Sequence, residues 1–167
     1  MHEVITVQKF SENEWLIDGI FEGNPKAQNI VIMLHEGGYN RDENGLFPVI
    51  EDNKIKKENN KIIFQTKTYG NYEILANSLI KNDEFCTFRY DLRNHGKSLV
   101  KDKMDKRDTL YMRLAKDLRD VIKYLKNKYP FKKVYFIATG VGALVVEYYL
   151  TKINEIPLND IKQIYLI

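Results

Sequence analysis

The stretch from residue 134 to residue 150 is the part of the sequence that most limits the fold. Five apolar residues, Val-Tyr-Phe-Ile-Ala, lead directly into Thr-Gly-Val-Gly-Ala, and a second apolar stretch follows. Glycines at such a turn let the backbones on either side of it approach each other closely. A strand that passes through a small-residue turn into an apolar helix indicates an α/β fold with a largely parallel sheet.

Strand-like and helix-like patterns alternate along the rest of the chain. The continuous apolar run over 30–34 is typical of a strand buried on both faces of a parallel sheet. Asp108 or Thr109 can cap a long amphipathic helix, and Pro130 ends it. The segments that we expect to be helices are 73–81, 110–125 and 143–150. The segments that we expect to be strands are 4–7 and 14–21, joined as a hairpin, then 30–34, 85–90, 133–138 and 161–167.

Composition restricts the class of protein. The chain has 167 residues, of which 44% are apolar, and this is enough for one domain with its own core. The net charge is +3 and the basic residues are scattered, so we expect no nucleic-acid partner. Cys86 is the single cysteine, no signal segment is evident, and the apolar runs are too short to span a bilayer. We therefore expect a soluble cytoplasmic protein with no membrane partner, no metal and no cofactor.

Three motifs follow three of the predicted strands. They are His-Glu-Gly-Gly from His35, Asp-Leu-Arg-Asn-His-Gly-Lys-Ser from Asp91, and Ala-Thr-Gly-Val-Gly from Ala138. In this order they resemble the motifs of the α/β-hydrolase superfamily, and most of all those of small serine esterases of the cinnamoyl or feruloyl esterase and serine aminopeptidase type. The second motif is the most specific, because the family's usual form is Asp-x-Arg-Gly-His-Gly-x-Ser.

The resemblance covers nearly the whole chain but only the N-terminal two-thirds of a typical family member. It implies an α/β-hydrolase core with a mostly parallel sheet of about six strands and an N-terminal antiparallel hairpin, lacking the last two strands. We expect one such domain over residues 1–167. Residues 41–68 are an insertion that is either a surface excursion or a lid over a pocket.

The resemblance also assigns roles to particular residues. By position, the backbone N–H groups of Gly37 and Val141 are the donors of an oxyanion hole, unless these residues only form tight turns. The family's catalytic histidine comes after the last strand, so neither histidine near the motifs is implied to be a base. Residues expected to have structural roles are His35, Asp91, Arg93, His95, Gly96, Ser98 and Gly142.

Three departures from the family pattern bear on activity. Gly140 occupies the position of the nucleophilic serine and has no Oγ atom. Glu36 replaces a glycine beside the oxyanion hole, where we expect its carboxylate to repel developing negative charge. The chain also ends before the positions where the family places its acidic and histidine triad members. We therefore expect a protein of serine esterase ancestry that is catalytically inactive as written.

Two alternatives to this interpretation stay open. The sequence is a fragment or an altered copy of an active carboxylester hydrolase, or it is a non-catalytic module that binds a small acyl or ester ligand or another protein. The last predicted strand, 161–167, would form a bare apolar sheet edge, suited to self-association or to docking of a C-terminal piece.

Two nucleotide-binding motifs are similar to parts of the chain. Gly140 and Gly142 lie between a strand and a helix as in a dinucleotide-binding turn, but Val145 stands where the third glycine belongs. Gly-Lys-Ser at 96–98 is similar to the end of a phosphate-binding loop, but Asp91 takes the first glycine position. Neither motif accounts for the order of all three segments, so we favour the hydrolase interpretation.

Overall fold

The computed structural model describes most of the chain. The described residues are 1–9, 15–37, 40–42, 44–48, 50–51, 54–59, 61–68, 70–93, 95–100, 109–153, 155 and 157–166. The turn of the predicted N-terminal hairpin, Asp108 and residue 167 therefore lie outside the described residues.

Strands occur throughout the chain, including short ones in the region 41–68. The strands are β1 His2–Lys9, β2 Trp15–Gly23, β3 Asn29–Leu34, β4 Asn44–Pro48, β5 Ile50–Glu51, β6 Lys54–Ile55, β7 Lys57–Glu58, β8 Lys61–Ile62, β9 Phe64–Thr68, β10 Phe85–Tyr90, β11 Leu99–Val100, β12 Lys133–Ala138 and β13 Ile161–Leu166. The helices are α1 Asn71–Leu79, α2 Leu110–Lys128 and α3 Val141–Tyr148, followed by a π-helical turn at Tyr149–Ile153 and a 3₁₀ turn at Leu158–Asp160.

The principal sheet has the strand order β1-β2-β10-β3-β12-β13, and the short β11 pairs with the start of β2. β1 and β2 are antiparallel and form the predicted hairpin, and β2 also pairs antiparallel with β10. The pairs β10–β3, β3–β12 and β12–β13 are parallel. In β3, every residue after Asn29 is buried, which confirms the predicted two-sided burial of this strand.

Helices cover both faces of the parallel part of the sheet. On one face, α1 packs Tyr72 and Ala76 against Val31 and Met33 of β3. On the other face, α2 and α3 enclose the larger core, to which β2, β3, β10 and β12 all contribute. Helix α2 begins as predicted after Thr109, whose Oγ1 accepts a hydrogen bond of 3.3 Å from the N–H of Met112.

The described residues of the region 41–68 form three antiparallel pairs outside the principal sheet. β4 pairs with β9, β5 with β6, and β7 with β8. In the last pair, Asn59 follows β7 and has a φ of 50°. Asparagine tolerates this left-handed conformation better than most residues, so it suits the turn.

β13 lies at one end of the principal sheet. Within the described residues, it pairs with β12 on one side and with no strand on the other. Ile164, Tyr165 and Leu166 are 37%, 49% and 50% exposed, so this end of the sheet presents apolar and aromatic side chains. No helix in the described part of the chain is long and apolar enough to cross a membrane.

We expect Leu118→Ala to lower the free energy of unfolding by about 2–5 kcal/mol, because Leu118 of α2 is fully buried and truncation leaves a cavity. The matched control is Leu110→Ala on the same helix, where the side chain is 58% exposed, and a loss below about 1 kcal/mol is expected. Urea denaturation measures both. Equal losses in the two variants would contradict the packing of α2 described above.

Candidate functional site

The three sequence motifs meet at one end of the sheet. In the parallel pairing, Leu34 of β3 lies opposite both Tyr90 of β10 and Ala138 of β12. These are the last residues of their strands, so the loops that follow all start from one line across the sheet. In open parallel sheets, ligands bind in the crevice outside the carboxyl ends of the strands. This end is therefore the candidate functional site.

The turn between β12 and α3 has the backbone geometry of a strained elbow. Gly140 has a φ of 47° and a ψ of −112°, a combination that residues with side chains rarely adopt. The N–H of Thr139 donates to the carbonyl of Leu34 at 3.1 Å, which holds the turn against β3. A Cβ atom added at Gly142 would overlap that same carbonyl oxygen, so only glycine permits this close approach.

The backbone N–H groups of Gly37 and Val141 point at one acceptor. Both donate to Oε1 of Glu36, at 2.6 Å from Gly37 N and 3.2 Å from Val141 N. The two donors come from different elements, the loop after β3 and the first turn of α3. The structure thus brings together the two residues that the resemblance pairs in an oxyanion hole.

The Glu36 carboxylate also fills the space beside Gly140. A Cβ atom added at Gly140 would overlap Oε2 of Glu36, so the carboxylate lies where any side chain at position 140 would begin. The sequence predicted that Glu36 would repel a developing charge from nearby. The observed arrangement is more direct, because the carboxylate itself accepts both hydrogen bonds.

His35 is buried and bonded to the backbone through both ring nitrogens. Its Nδ1–H donates to the carbonyl of Glu36 at 2.7 Å, and its Nε2 accepts from the N–H of Leu92 at 2.8 Å. This pattern requires the neutral ring, and burial lowers the pKa of His35 to about 4. The ring of His95 meets it edge-on, with 5.3 Å between centroids, and its Nδ1–H donates to the carbonyl of Arg93 at 2.8 Å.

Asp91 organises the loop after β10. Its Oδ1 accepts from the N–H of Arg41 and its Oδ2 from the N–H of Lys97, both at 2.8 Å. The Ser98 hydroxyl donates to the carbonyl of Asp91 at 2.6 Å and accepts from the N–H of Asp18 at 3.0 Å. Gly96 has a φ of 50°, and a Cβ there would overlap the Asp91 carboxylate. The loop therefore closes tightly around one buried carboxylate.

Arg93 connects this loop to helix α2. Its Nε and Nη2 donate to the two carboxylate oxygens of Asp117 at 2.9 and 2.7 Å, a bidentate pair that is almost completely buried. Arg93 was among the residues predicted to be structural, and Asp117 was not. The available signal was an acidic residue directly beside the apolar stripe of α2, next to Leu118.

A second group of buried charges, also missed from the sequence, lies between β2, β10 and the segment 40–42. Nη1 of Arg41 contacts Asp18 at 2.6 Å. Arg89 pairs with Glu22, and its Nε contacts Asp42 at 2.6 Å. Although burial opposes the charge on Arg89, the hydrogen bonds to Asp42 and Glu22 outweigh it and raise its pKa.

The chemistry available at the elbow is that of hydrogen-bond donors. Gly140 offers no nucleophile, and the nearest hydroxyl described in the turn is that of Thr139, 3.3 Å from the hydroxyl of Tyr72. Cys86 lies on β10, where burial raises the pKa of its thiol to about 12. Among the described residues, no group of three or more His, Cys, Asp or Glu side chains could hold a metal ion.

The fold is that of the α/β hydrolases, which confirms the predicted mostly parallel sheet with its N-terminal antiparallel hairpin. Similar solved structures include an esterase of Pyrococcus furiosus, Pf2001, with 20% identity, a TM-score of 0.59, and coverage of 93% of this chain and 48% of that chain. A hydrolase of Pseudomonas aeruginosa PA01 has 13% identity and a TM-score of 0.60, with 98% and 44% covered. The α/β hydrolase GrgF of Penicillium sp. sh18 has 13% identity and a TM-score of 0.59, with 89% and 41% covered.

The chain thus spans less than half the length of each of these proteins. At sequence identities of 13–20%, the similarity to these proteins shows the fold alone. No protein-family model matches the sequence, and no curated protein sequence matches it.

We expect the neutral state of His35 to make the protein less stable in acid. Its pKa is about 4 when folded against 6.5 for an ordinary histidine, so the unfolded chain binds the proton first as the pH falls. The contribution of His35 to the free energy of unfolding is constant well above pH 6.5. It falls as the pH drops from 6.5 to 4, by up to about 3 kcal/mol at ~1.4 kcal/mol per pKa unit.

Urea denaturation across this pH range, with His35→Gln as the non-titrating comparison, isolates the contribution. The difference in the free energy of unfolding between the two proteins should be constant above neutral pH. In acid, the wild type should lose free energy of unfolding relative to His35→Gln. Parallel stability curves down to pH 4 would contradict the lowered pKa of His35.

Proposed function

We propose that this chain has serine esterase ancestry and does not perform serine-dependent hydrolysis as written. The observation that carries the proposal is glycine in the strained position of the elbow, at Gly140, with a φ of 47°. In the family that the motifs resemble, this is where the nucleophilic oxygen is presented. The turn keeps the backbone shape and lacks the reacting atom.

The size of the expected loss supports this proposal. Removing the nucleophile from a serine protease triad lowers turnover by about a millionfold, and the remaining groups supply about 10³–10⁴-fold over water. Here the remaining groups would be the N–H donors of Gly37 and Val141, which Glu36 already engages. His35 does not replace the missing base, because both of its ring nitrogens are bonded to the backbone, and the resemblance gives His95 a structural role.

Fluorophosphonate labelling and hydrolysis of short p-nitrophenyl esters test the proposal directly. We expect no covalent adduct and no turnover above background from the purified chain. We also expect Gly140→Ser to stay inactive and to lower the melting temperature. A serine in this backbone conformation is strained by about 1–3 kcal/mol, and its side chain overlaps Glu36. At about 2–4 °C per kcal/mol, the fall should be several degrees.

Gly70→Ser is the matched control for backbone strain. Gly70 has a φ of 58°, but a Cβ there meets no atom within 4 Å. A larger fall in melting temperature for Gly140→Ser than for Gly70→Ser reports the overlap with Glu36. Adduct formation at the wild-type elbow, or recovered ester hydrolysis in Gly140→Ser, would contradict the proposal.

A second candidate function is self-association through β13. The observation that favours it is the run of exposed side chains Ile164, Tyr165 and Leu166 on a strand that pairs on one side within the described residues. An unpaired strand edge is a template for another strand. Antiparallel pairing of β13 with its own copy would give a closed two-fold dimer.

For this candidate, we expect sedimentation velocity to detect a dimer at high protein concentration, and Ile164→Lys to shift it to monomer. Leu144→Lys is the control, because Leu144 is 45% exposed on α3 and lies outside the strand edge. A monomeric wild type, or equal dissociation of both variants, would count against the candidate.

A further inference from the structure

The contact between Glu36 and the elbow has three components that act on one carboxylate. Oε1 receives the N–H of Gly37 and the N–H of Val141, while Oε2 occupies the space that a side chain at position 140 would need. The donors come from two separate elements, and Gly140 provides the gap between them. A single carboxylate therefore occupies both the acceptor position of the two N–H groups and the space beside Gly140.

The backbone of Glu36 is itself held in place. Its carbonyl accepts the Nδ1–H of the buried His35 at 2.7 Å, and His35 is fixed in turn by the N–H of Leu92. A Cβ added at Gly37 would lie 2.9 Å from Cγ2 of Val141, so the loop and the start of α3 are in close contact. The carboxylate is thus presented to its donors by a hydrogen-bonded and closely packed backbone.

The donors suit a carboxylate for physical reasons. Hydrogen bonds from N–H groups to a charged oxygen are shorter and stronger than those between neutral groups. Val141 is also the first residue of α3, where the helix dipole favours negative charge, and Gly140 has no side chain that could cap it. Without Glu36, the two N–H groups would lose their described acceptor.

We propose that Glu36 is a built-in ligand that keeps this site closed, and that removing its carboxylate opens a binding site for a small monocarboxylate. The Glu36 side chain is tethered beside its donors, so its effective concentration there is far above that of a free anion. An external carboxylate therefore competes poorly with the wild-type protein. The proposal concerns occupancy of two N–H groups and does not depend on whether the chain hydrolyses esters.

The main experiment uses Glu36→Gly with acetate as the probe and sodium chloride at equal ionic strength as the reference. We expect the variant to melt about 5 °C below the wild type, because two N–H donors lose a charged acceptor. Acetate should then raise its melting temperature saturably. The amide signals of Gly37 and Val141 should shift together in nitrogen–proton spectra over millimolar concentrations.

Two further variants serve as controls. Glu36→Gln keeps an oxygen acceptor and nearly the same volume, so it should stay closed and show no response to acetate. Glu147→Ala removes an exposed carboxylate from the same helix α3, and it should behave as the wild type. If acetate raised the melting temperature of Glu147→Ala as much as that of Glu36→Gly, the effect would be general salt stabilisation, and the proposal would be overturned.

The wild-type protein provides a test that needs no substitution. Couplings across hydrogen bonds should connect the amide nitrogens of Gly37 and Val141 to Cδ of Glu36, and acetate should leave both signals unchanged. Absent couplings with acetate-induced shifts in the wild type would overturn the proposal even if Glu36→Gly failed to fold. Fluorophosphonate labelling of the wild type would contradict the proposed lack of hydrolysis and leave these results standing.

Discussion

The in-register parallel pairing of β3 with β10 and β12 is the interaction on which the rest of the structure depends. It places Leu34, Tyr90 and Ala138 in one line, so that loops far apart in sequence start side by side. The carbonyl of Leu34 then receives both the N–H of Thr139 and the hydroxyl of Tyr72, at 3.1 and 2.9 Å. A shift of one residue in the β3–β12 pairing would displace the elbow from the loop that carries Glu36.

Buried charge pairs hold the loops that follow the ends of β3 and β10. Asp91 gathers backbone donors from its own loop and from Arg41, and Arg93 fixes the same loop to Asp117 of α2. Charges out of water are costly unless every oxygen and N–H is paired, and breaking one partner of such a pair costs several kcal/mol. These contacts therefore favour one arrangement of the loops over others, which is what a preorganised site requires.

Gly140 and Glu36 depend on each other. The carboxylate occupies its position only because Gly140 lacks a side chain. Because Gly140 cannot cap α3, the N–H of Val141 donates to Glu36 instead. A serine at the elbow and a glutamate in the neighbouring loop exclude one another in this conformation. Gly140 and Glu36, which are separate features of the sequence, are therefore coupled in the structure.

The sequence by itself determined the order of the long strands and of the three helices, the two-sided burial of β3 and the glycine at position 140, and it narrowed the cap of α2 to Asp108 or Thr109. These follow from local periodicity, capping and residue identity, which depend on neighbours in the chain. Tertiary structure alone decided that Asp117 meets Arg93, that Arg89 is buried with Glu22, and that the Glu36 carboxylate lies in the elbow. Those contacts join residues up to 105 positions apart, so the register of the sheet, and no local pattern, brings them together.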